Sequence, residues 1–170
     1  MNAAEESAFR AFVHAQGGAL TGLAYVLTGS RDDAQDLLQS ALTTVVSRWR
    51  TVRDAEDPAA YVKRLLVNKF LDDRRRARRR PLSLGDGTQD RAAPHNAHAG
   101  VDDRDQVQRL LMALPPRERA VLALRFLADQ SEAATAQALG ISVGSVKAYT
   151  SRGLARVRST LPTPDRGDPR

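Results

Sequence analysis

The chain has 170 residues and carries 26 basic against 20 acidic side chains, a net charge of +6. It contains no cysteine, which excludes disulfides and thiolate metal sites. With 42% hydrophobic and only 5% aromatic residues, it suits small helical units filled by Leu, Val and Ala. The length fits one ordinary domain or two small ones. The opening residues lack a basic start and an apolar run, so no secretion signal is expected. No apolar stretch approaches the roughly 20 residues that span a bilayer. A cytoplasmic chain without membrane insertion is the expectation.

In chain order, residues 5–16 and 19–28 read as two helices separated by Gly17-Gly18. The next stretch, SRDDAQDLLQSALTTVVSRW, places apolar residues at 34, 37, 38, 41, 42, 45, 46 and 49, one face of a helix. Ser30 is placed to cap it, with Asp33 in the capping-box position, and Asp32 and Asp33 favour the positive helix start. The opposite face carries Asp36, Gln39, Ser40 and Thr43. Trp49 ends the apolar stripe and reads as core. Asp57 then caps a long helix with Pro58 at its first position. Its stripe is Tyr61, Val62, Leu65, Leu66 and Phe70, and at 100° per residue Arg64, Asn68 and Arg75 project together on the other side. The helix runs into RRRARRR, residues 74–80.

From Pro81 to about Val101 the composition turns to Gly, Pro, Asn and Asp with no apolar period, which reads as a flexible linker. His95 and His98 in it read as solvated, because no cysteine or carboxylate cluster accompanies them. Beyond it, Pro115-Pro116 opens a helix to about Leu127, Ser131 caps a short helix ending at Leu139, Gly140 makes a turn, and Ser142 caps a last helix to about Leu161. A short helix, a Gly-containing turn and a basic final helix form a helix-turn-helix pattern. On the last helix Val146, Thr150, Gly153, Leu154 and Val157 face inward, Ser145, Ala148, Ser151 and Arg152 outward, with Lys147 and Tyr149 at the flanks. A small outward face admits a helix into a DNA major groove.

The charge is divided unevenly. Residues 69–80 hold 7 basic and 2 acidic side chains and residues 142–161 hold 4 and 0, while the segments between and before them are slightly acidic. Two separate basic blocks suggest a polyanion held at two places. The fold expected is all-α: two small helical domains joined by a flexible linker. No nucleophile with a base, phosphate-cradling glycine loop or paired carboxylate emerges, so catalysis, cofactors and metals are not expected. The residues leave open an ordinary helix-turn-helix regulator with a ligand-sensing or dimerising N-terminal block, and a metal-dependent nuclease built on the Asp32–Asp36 cluster.

Over both helical blocks the chain resembles a sigma-70 family factor of the small extracytoplasmic-function (ECF) type. Asp33, Ala34, Gln35, Asp36, Leu37, Leu38 and Gln39 are similar to the Asp-Ala-Glu-Asp-Leu-Val-Gln core of the family's region 2, with Gln35 in place of Glu. The resemblance implies that Asp33, Asp36, Leu37 and Gln39 contact the β′ clamp helices of RNA polymerase. Residues 57–80 look like the segment that captures the −10 promoter element, with Asn68 on the family's Asn. It implies −10 contacts by Arg64, Asn68, Arg74, Arg75, Arg76, Arg78 and Arg79, with Arg80 continuing the basic end, and a base pocket that includes the loop from Arg50 to Asp57. Gly144, Ser145, Val146, Lys147 and Ala148 are similar to the Gly-Thr-Val-Lys/Arg-Ser signature of region 4, with Ala148 in place of a polar residue. Ser145, Lys147, Ala148, Tyr149, Ser151 and Arg152 are then the residues expected on the −35 element. The resemblance also implies the β flap and promoter DNA as partners and an anti-sigma protein as a regulator. It divides the chain into region 2 at 1–80, a linker at 81–101, region 4 at 102–161, and a tail at 162–170.

Overall fold

Asn2, Ser30, Asp57, Ser131 and Ser142 each accept, on a side-chain oxygen, the backbone N–H three residues ahead, and each stands at the start of a helix. Each cap satisfies an N–H that a helix start leaves without an intrahelical partner. In the computed structural model, which describes residues 2–79 and 103–160, the helices are α1 (Ala3–Thr28), α2 (Arg31–Ser47), α3 (Trp49–Arg53), α4 (Pro58–Arg79), α5 (Asp103–Met112), α6 (Pro116–Leu122), α7 (Glu132–Leu139) and α8 (Val143–Thr160). A π-helical turn, Ala123–Leu127, continues α6. Among the described residues there is no strand, as the all-α reading requires. The expected linker with its two histidines, Arg80, and the tail lie outside the described residues.

Gly17 and Gly18 do not divide α1, which runs unbroken for 26 residues. Two interior glycines cost about 1 kcal/mol each relative to Ala. Packing on both sides of them offsets that. Phe9 and Phe12 lie against Trp49 on one side, and Leu20, Leu23 and Leu27 are buried on the other. The helix ends at Gly29, whose φ of 78° is the left-handed conformation that glycine adopts most readily. Trp49 belongs to the core, as its place at the end of the stripe suggested, but it does not lie on α2. The backbone leaves helical geometry at Arg48 (φ −119°, ψ 22°), and Trp49 opens the short α3. Neither the separate helix at 103–112 nor the π turn is marked by periodicity or capping residues in the sequence. In that turn the N–H of Ala128 reaches back five residues to Ala123 O at 3.0 Å.

The two helical blocks are not packed independently. One cluster around Trp49, with Leu20, Val45, Val52 and Val62, belongs to the first block alone. A second, larger cluster unites Leu23, Leu27, Leu37, Leu66, Val67 and Phe70 of the first block with Ala120, Ala123, Leu124 and Ala138 of the second. Small residues on α6 and α7 let them approach α1 and α4 closely. Gly29 is the tightest point: a methyl group there would lie 2.5 Å from Met112 Sδ on α5.

Leu124 is fully buried in the shared cluster, whereas Trp49, the single tryptophan, lies in the first block. Leu124→Ala is expected to lower stability by about 2–5 kcal/mol. Because the core is common, the loss should also appear as an earlier urea midpoint in Trp49 fluorescence. An unchanged Trp49 midpoint, with a shifted far-UV circular-dichroism curve, would show the blocks to be uncoupled.

Candidate nucleic-acid interface

The basic helix α4 divides its polar side chains between two grooves. The first is an open cleft between α2 and α4 lined by Thr44, Arg48, Tyr61, Arg64, Leu65, Asn68, Lys69 and Asp72. Spacings of three and four along each helix bring these residues to one side. The Arg64 guanidinium lies over the Tyr61 ring at 5.2 Å, a stacked cation and aromatic of the kind that receives an unpaired base. Arg48 and Lys69 add charge at the walls. Asn68, half-buried, donates from Nδ2 to the carbonyl of Ala138 on α7 at 2.9 Å.

The second groove is lined by Thr28, Asp33, Asp36, Leu37, Ser40, Phe70, Asp73, Arg74 and Ala77. Asp36 is exposed and Leu37 is 6% exposed, so Leu37 is chiefly core beneath a polar surface formed by its neighbours. Gln39 is exposed on the same helix. Arg74, which the resemblance places among the −10 contacts, lines this groove and lies over Phe70 at 5.5 Å. Arg75 and Arg76 pair with Asp72 and Asp73 at 3.5 and 3.8 Å, both on exposed surface. Such pairs contribute at most about 1 kcal/mol, so a phosphate can replace the carboxylate. Arg78 and Arg79 are exposed at the helix end.

In the second block, α7, the turn at Gly140 and α8 form the helix-turn-helix. Gly140 has φ 62° and returns its N–H to Ala136 O, and Ser142 caps α8. Val146 and Gly153 are the buried positions of α8, and Gly153 lets Leu122 approach where a side chain would collide. Lys147, Ser151 and Arg152 are exposed, while Ser145, Ala148 and Tyr149 are half-buried. Arg152 lies over the Tyr149 ring at 4.9 Å and 3.5 Å from the buried Glu118 carboxylate, which also meets Arg156 at 3.0 Å. Glu118 thus holds two arginines along one side of α8. Lys147 is 3.7 Å from Glu132 on α7.

The sigma-70 region 2 family matches residues 12–80, and the sigma-70 region 4 family matches residues 104–157. The chain belongs to the sigma-70 family of RNA polymerase sigma factors. It is 34% identical over 156 residues to the RNA polymerase sigma-E factor of Streptomyces coelicolor, covering 90% of this chain and 85% of that one. It is 31% identical over 139 residues to the ECF RNA polymerase sigma factor SigM of Mycobacterium tuberculosis, covering 82% and 69% respectively. Among solved structures, the sigma factor RpoE of Bartonella quintana, in complex with the anti-sigma factor NepR, matches with a TM-score of 0.73 at 24% identity. That match covers 89% of this chain and 94% of the other and concerns the fold. This sigma factor is therefore an initiation factor that directs promoter recognition, not an enzyme. Among the described residues no helix is long and apolar enough to cross a membrane.

Thr44, Arg48, Tyr61 and Lys69 of the cleft are not among the DNA-contacting residues that the sequence points to. Tyr61 was assigned to the apolar stripe, yet it is half-buried and turned to the cleft. Its spacing from Arg64 and Leu65 was the available signal. The α3 segment is held from a distance that no local pattern reveals: Arg50 Nε donates to Glu5 Oε1 at 2.8 Å, across 45 residues. The same Glu5 carboxylate accepts the Asn2 N–H at 2.9 Å, completing a capping box at the start of α1.

These contacts hold the Glu5 carboxyl below its ordinary value of 4.5, the Asn2 backbone hydrogen bond first and Arg50 second. A carboxyl that titrates lower in the folded chain stabilises it above the unfolded value, and loses that contribution as pH falls through the folded value. Glu5→Gln should therefore melt earlier than the parent at pH 7. The two melting temperatures should converge as the pH is lowered below 4.5.

Proposed function

We propose that this sigma factor holds the unpaired non-template strand of the −10 element in the α2–α4 cleft and docks α8 on the duplex −35 element. The observation that carries the reading is the cleft itself. It joins a guanidinium stacked on an aromatic ring, two further cations and an amide on one open surface. Stacking on aromatic or guanidinium planes contributes about 1–3 kcal/mol per base and offsets the few kcal/mol needed to unstack it. The exposed arginines at the end of α4 act on phosphates. On α8, Lys147, Ser151 and Arg152, with Ser145, Ala148 and Tyr149 beside them, face the major groove.

Asp33, Asp36 and Gln39, over the buried Leu37, form the contact to the β′ clamp helices, and the second block contacts the β flap. Residues 1–80 and 102–161 act as the two functional regions, joined by 81–101. Fixed on polymerase, two weak DNA contacts reinforce each other through effective concentration. The factor works in the cytoplasm, where polymerase and promoter meet. An anti-sigma protein is the expected regulator, because the RpoE relative was solved with one bound.

Run-off transcription with core polymerase on a promoter library tests the reading directly: the factor should confer start-site selection on core enzyme and bind promoter DNA weakly without it. Sequence-specific nanomolar binding by the free chain, with no effect on core polymerase, would overturn it.

Two sets of variants separate the surfaces. Replacing Asp36 and Gln39 together with Lys should weaken core-polymerase binding at least tenfold while the helical circular-dichroism signal stays unchanged, since both are exposed. Unfolding of that variant would assign them a structural role.

Within the DNA surface, Asn68→Ala should reduce open-complex formation and alter the tolerance for −10 substitutions, because an amide can pair with a base edge. Neutralising Arg78, Arg79 and Arg80 should weaken all promoters alike and flatten the salt dependence. Permanganate footprinting across a −10 series at several salt concentrations distinguishes the two. A uniform effect of Asn68→Ala on every −10 variant would remove its base-reading role.

A further inference from the structure

Glu118 lies in the first turn of α6, outside the surfaces assigned above to polymerase or DNA. Its side chain is only 6% exposed, yet its carboxylate meets Arg156 Nε at 3.0 Å and Arg152 Nε at 3.5 Å. Gly153 makes this approach possible. A methyl group there would lie 2.9 Å from Leu122 Cδ1 and 3.7 Å from Glu118 Cβ, so glycine lets α6 set its acid against both arginines of α8. A carboxylate taken out of water is costly unless cations stay beside it. Among the described residues, Arg152 and Arg156 are the cations paired with this one.

Arg152 is restrained from two directions. Glu118 faces its Nε, and its guanidinium lies over the Tyr149 ring at 4.9 Å. Its side chain is still 54% exposed, which leaves the edge carrying the two Nη groups to a partner outside the chain. That edge matches guanine O6 and N7 bidentately. A phosphate accepts a guanidinium from many directions and carries no sequence information, whereas a base edge needs the fork in one orientation. Lys147 offers the contrast. It is 3.7 Å from Glu132, but both side chains are open to water and an ammonium has no fork to orient.

We propose that Glu118 is a positioning residue for promoter specificity. By fixing Arg152 it turns that side chain from a phosphate contact into the reader of a guanine in the −35 element. This rests on the assignment of α8 to the duplex −35 element. Glu118 touches no DNA and acts through Arg152. Its charge lowers the local positive potential while its position sharpens the direction of the fork, so its loss has two effects of opposite sign. Discrimination falls, and affinity for unrelated duplex rises as the guanidiniums turn to phosphates.

The test uses holoenzyme reconstituted from the full chain and core polymerase. Competition binding is measured on promoter duplexes with a fixed −10 element and each −35 base pair substituted in turn. Glu118→Gln should reduce the preference for guanine at one −35 base pair about tenfold. The same variant should bind an unrelated duplex about threefold more tightly, with a steeper salt dependence. Glu132→Gln, which removes the same charge beside Lys147, should steepen the salt dependence and keep the full −35 preference. Arg152→Lys should lose the guanine preference. Adding Glu118→Gln to it should cost no further preference, because effects on one shared contact do not add. Glu118→Asp, which draws the carboxylate back toward α6, takes the place of Glu118→Gln should that variant lose its helical signal.

Equal weakening of every −35 duplex by Glu118→Gln would make the residue structural and overturn the proposal. So would an unchanged guanine preference, or losses that add in the double variant. If the parent holoenzyme shows no preference at any −35 base pair, the α8 assignment itself fails and this proposal falls with it.

Discussion

The guanidinium of Arg119 is buried, and it donates to Leu27 O at the end of α1 and to Met112 O and Leu114 O at the end of α5. A helix C-terminus presents carbonyls without intrahelical partners and a partial negative charge, and a cation there serves both. Neither α1 nor α7 carries a basic residue in its own last turn. Their ends are served from across the block boundary: α1 by Arg119 and Gln108, α7 by Asn68. Hydrogen bonds from a charged donor contribute about 1.5–3 kcal/mol, and leaving buried carbonyls without one costs a similar amount. The shared apolar cluster forms around these caps, and the packing of one block on the other depends on both together.

The same economy governs α4. One face of the helix is spent on the core through Val62, Leu66, Val67 and Phe70. A second holds Arg64, Asn68 and Lys69 against α2 in the cleft, and a third carries Arg74 beside Asp33 and Asp36. A helix 22 residues long with a narrow buried stripe has room for both surfaces. A change in the stripe therefore displaces the linings of both grooves together. Asn68 stands at the boundary between cleft and core, where an amide can serve either a helix end or a base.

In the second block, Glu118 plays a comparable organising role. Its carboxylate is buried under α8 with Arg152 and Arg156 against it. Pairing with a buried carboxylate restricts long, flexible side chains, so part of the cost of ordering them is met within the fold. Arg152 is restricted further by its position over Tyr149.

Local chemistry determined much of this protein from its sequence. Although Val46 of the α2 stripe is exposed and Tyr61 of the α4 stripe turns to the cleft, the caps at Ser30, Asp57, Ser131 and Ser142, the turn at Gly140 and most of the stripes of α2, α4 and α8 depend on neighbours three or four residues away and were legible. So were the family motifs, which lie on continuous helices. Tertiary structure alone decided the rest, because its causes lie far apart in the chain. Packing against Trp49 and the core carried α1 through Gly17-Gly18 against their propensity. The Glu5–Arg50 pair spans 45 residues, and the Asn68–Ala138 bond spans 70. A periodicity argument identifies which face of a helix is apolar but not which helix will cover it. That is why Arg74 could be assigned to the basic end of α4 and still lie with the acidic groove, and why the two blocks share one core.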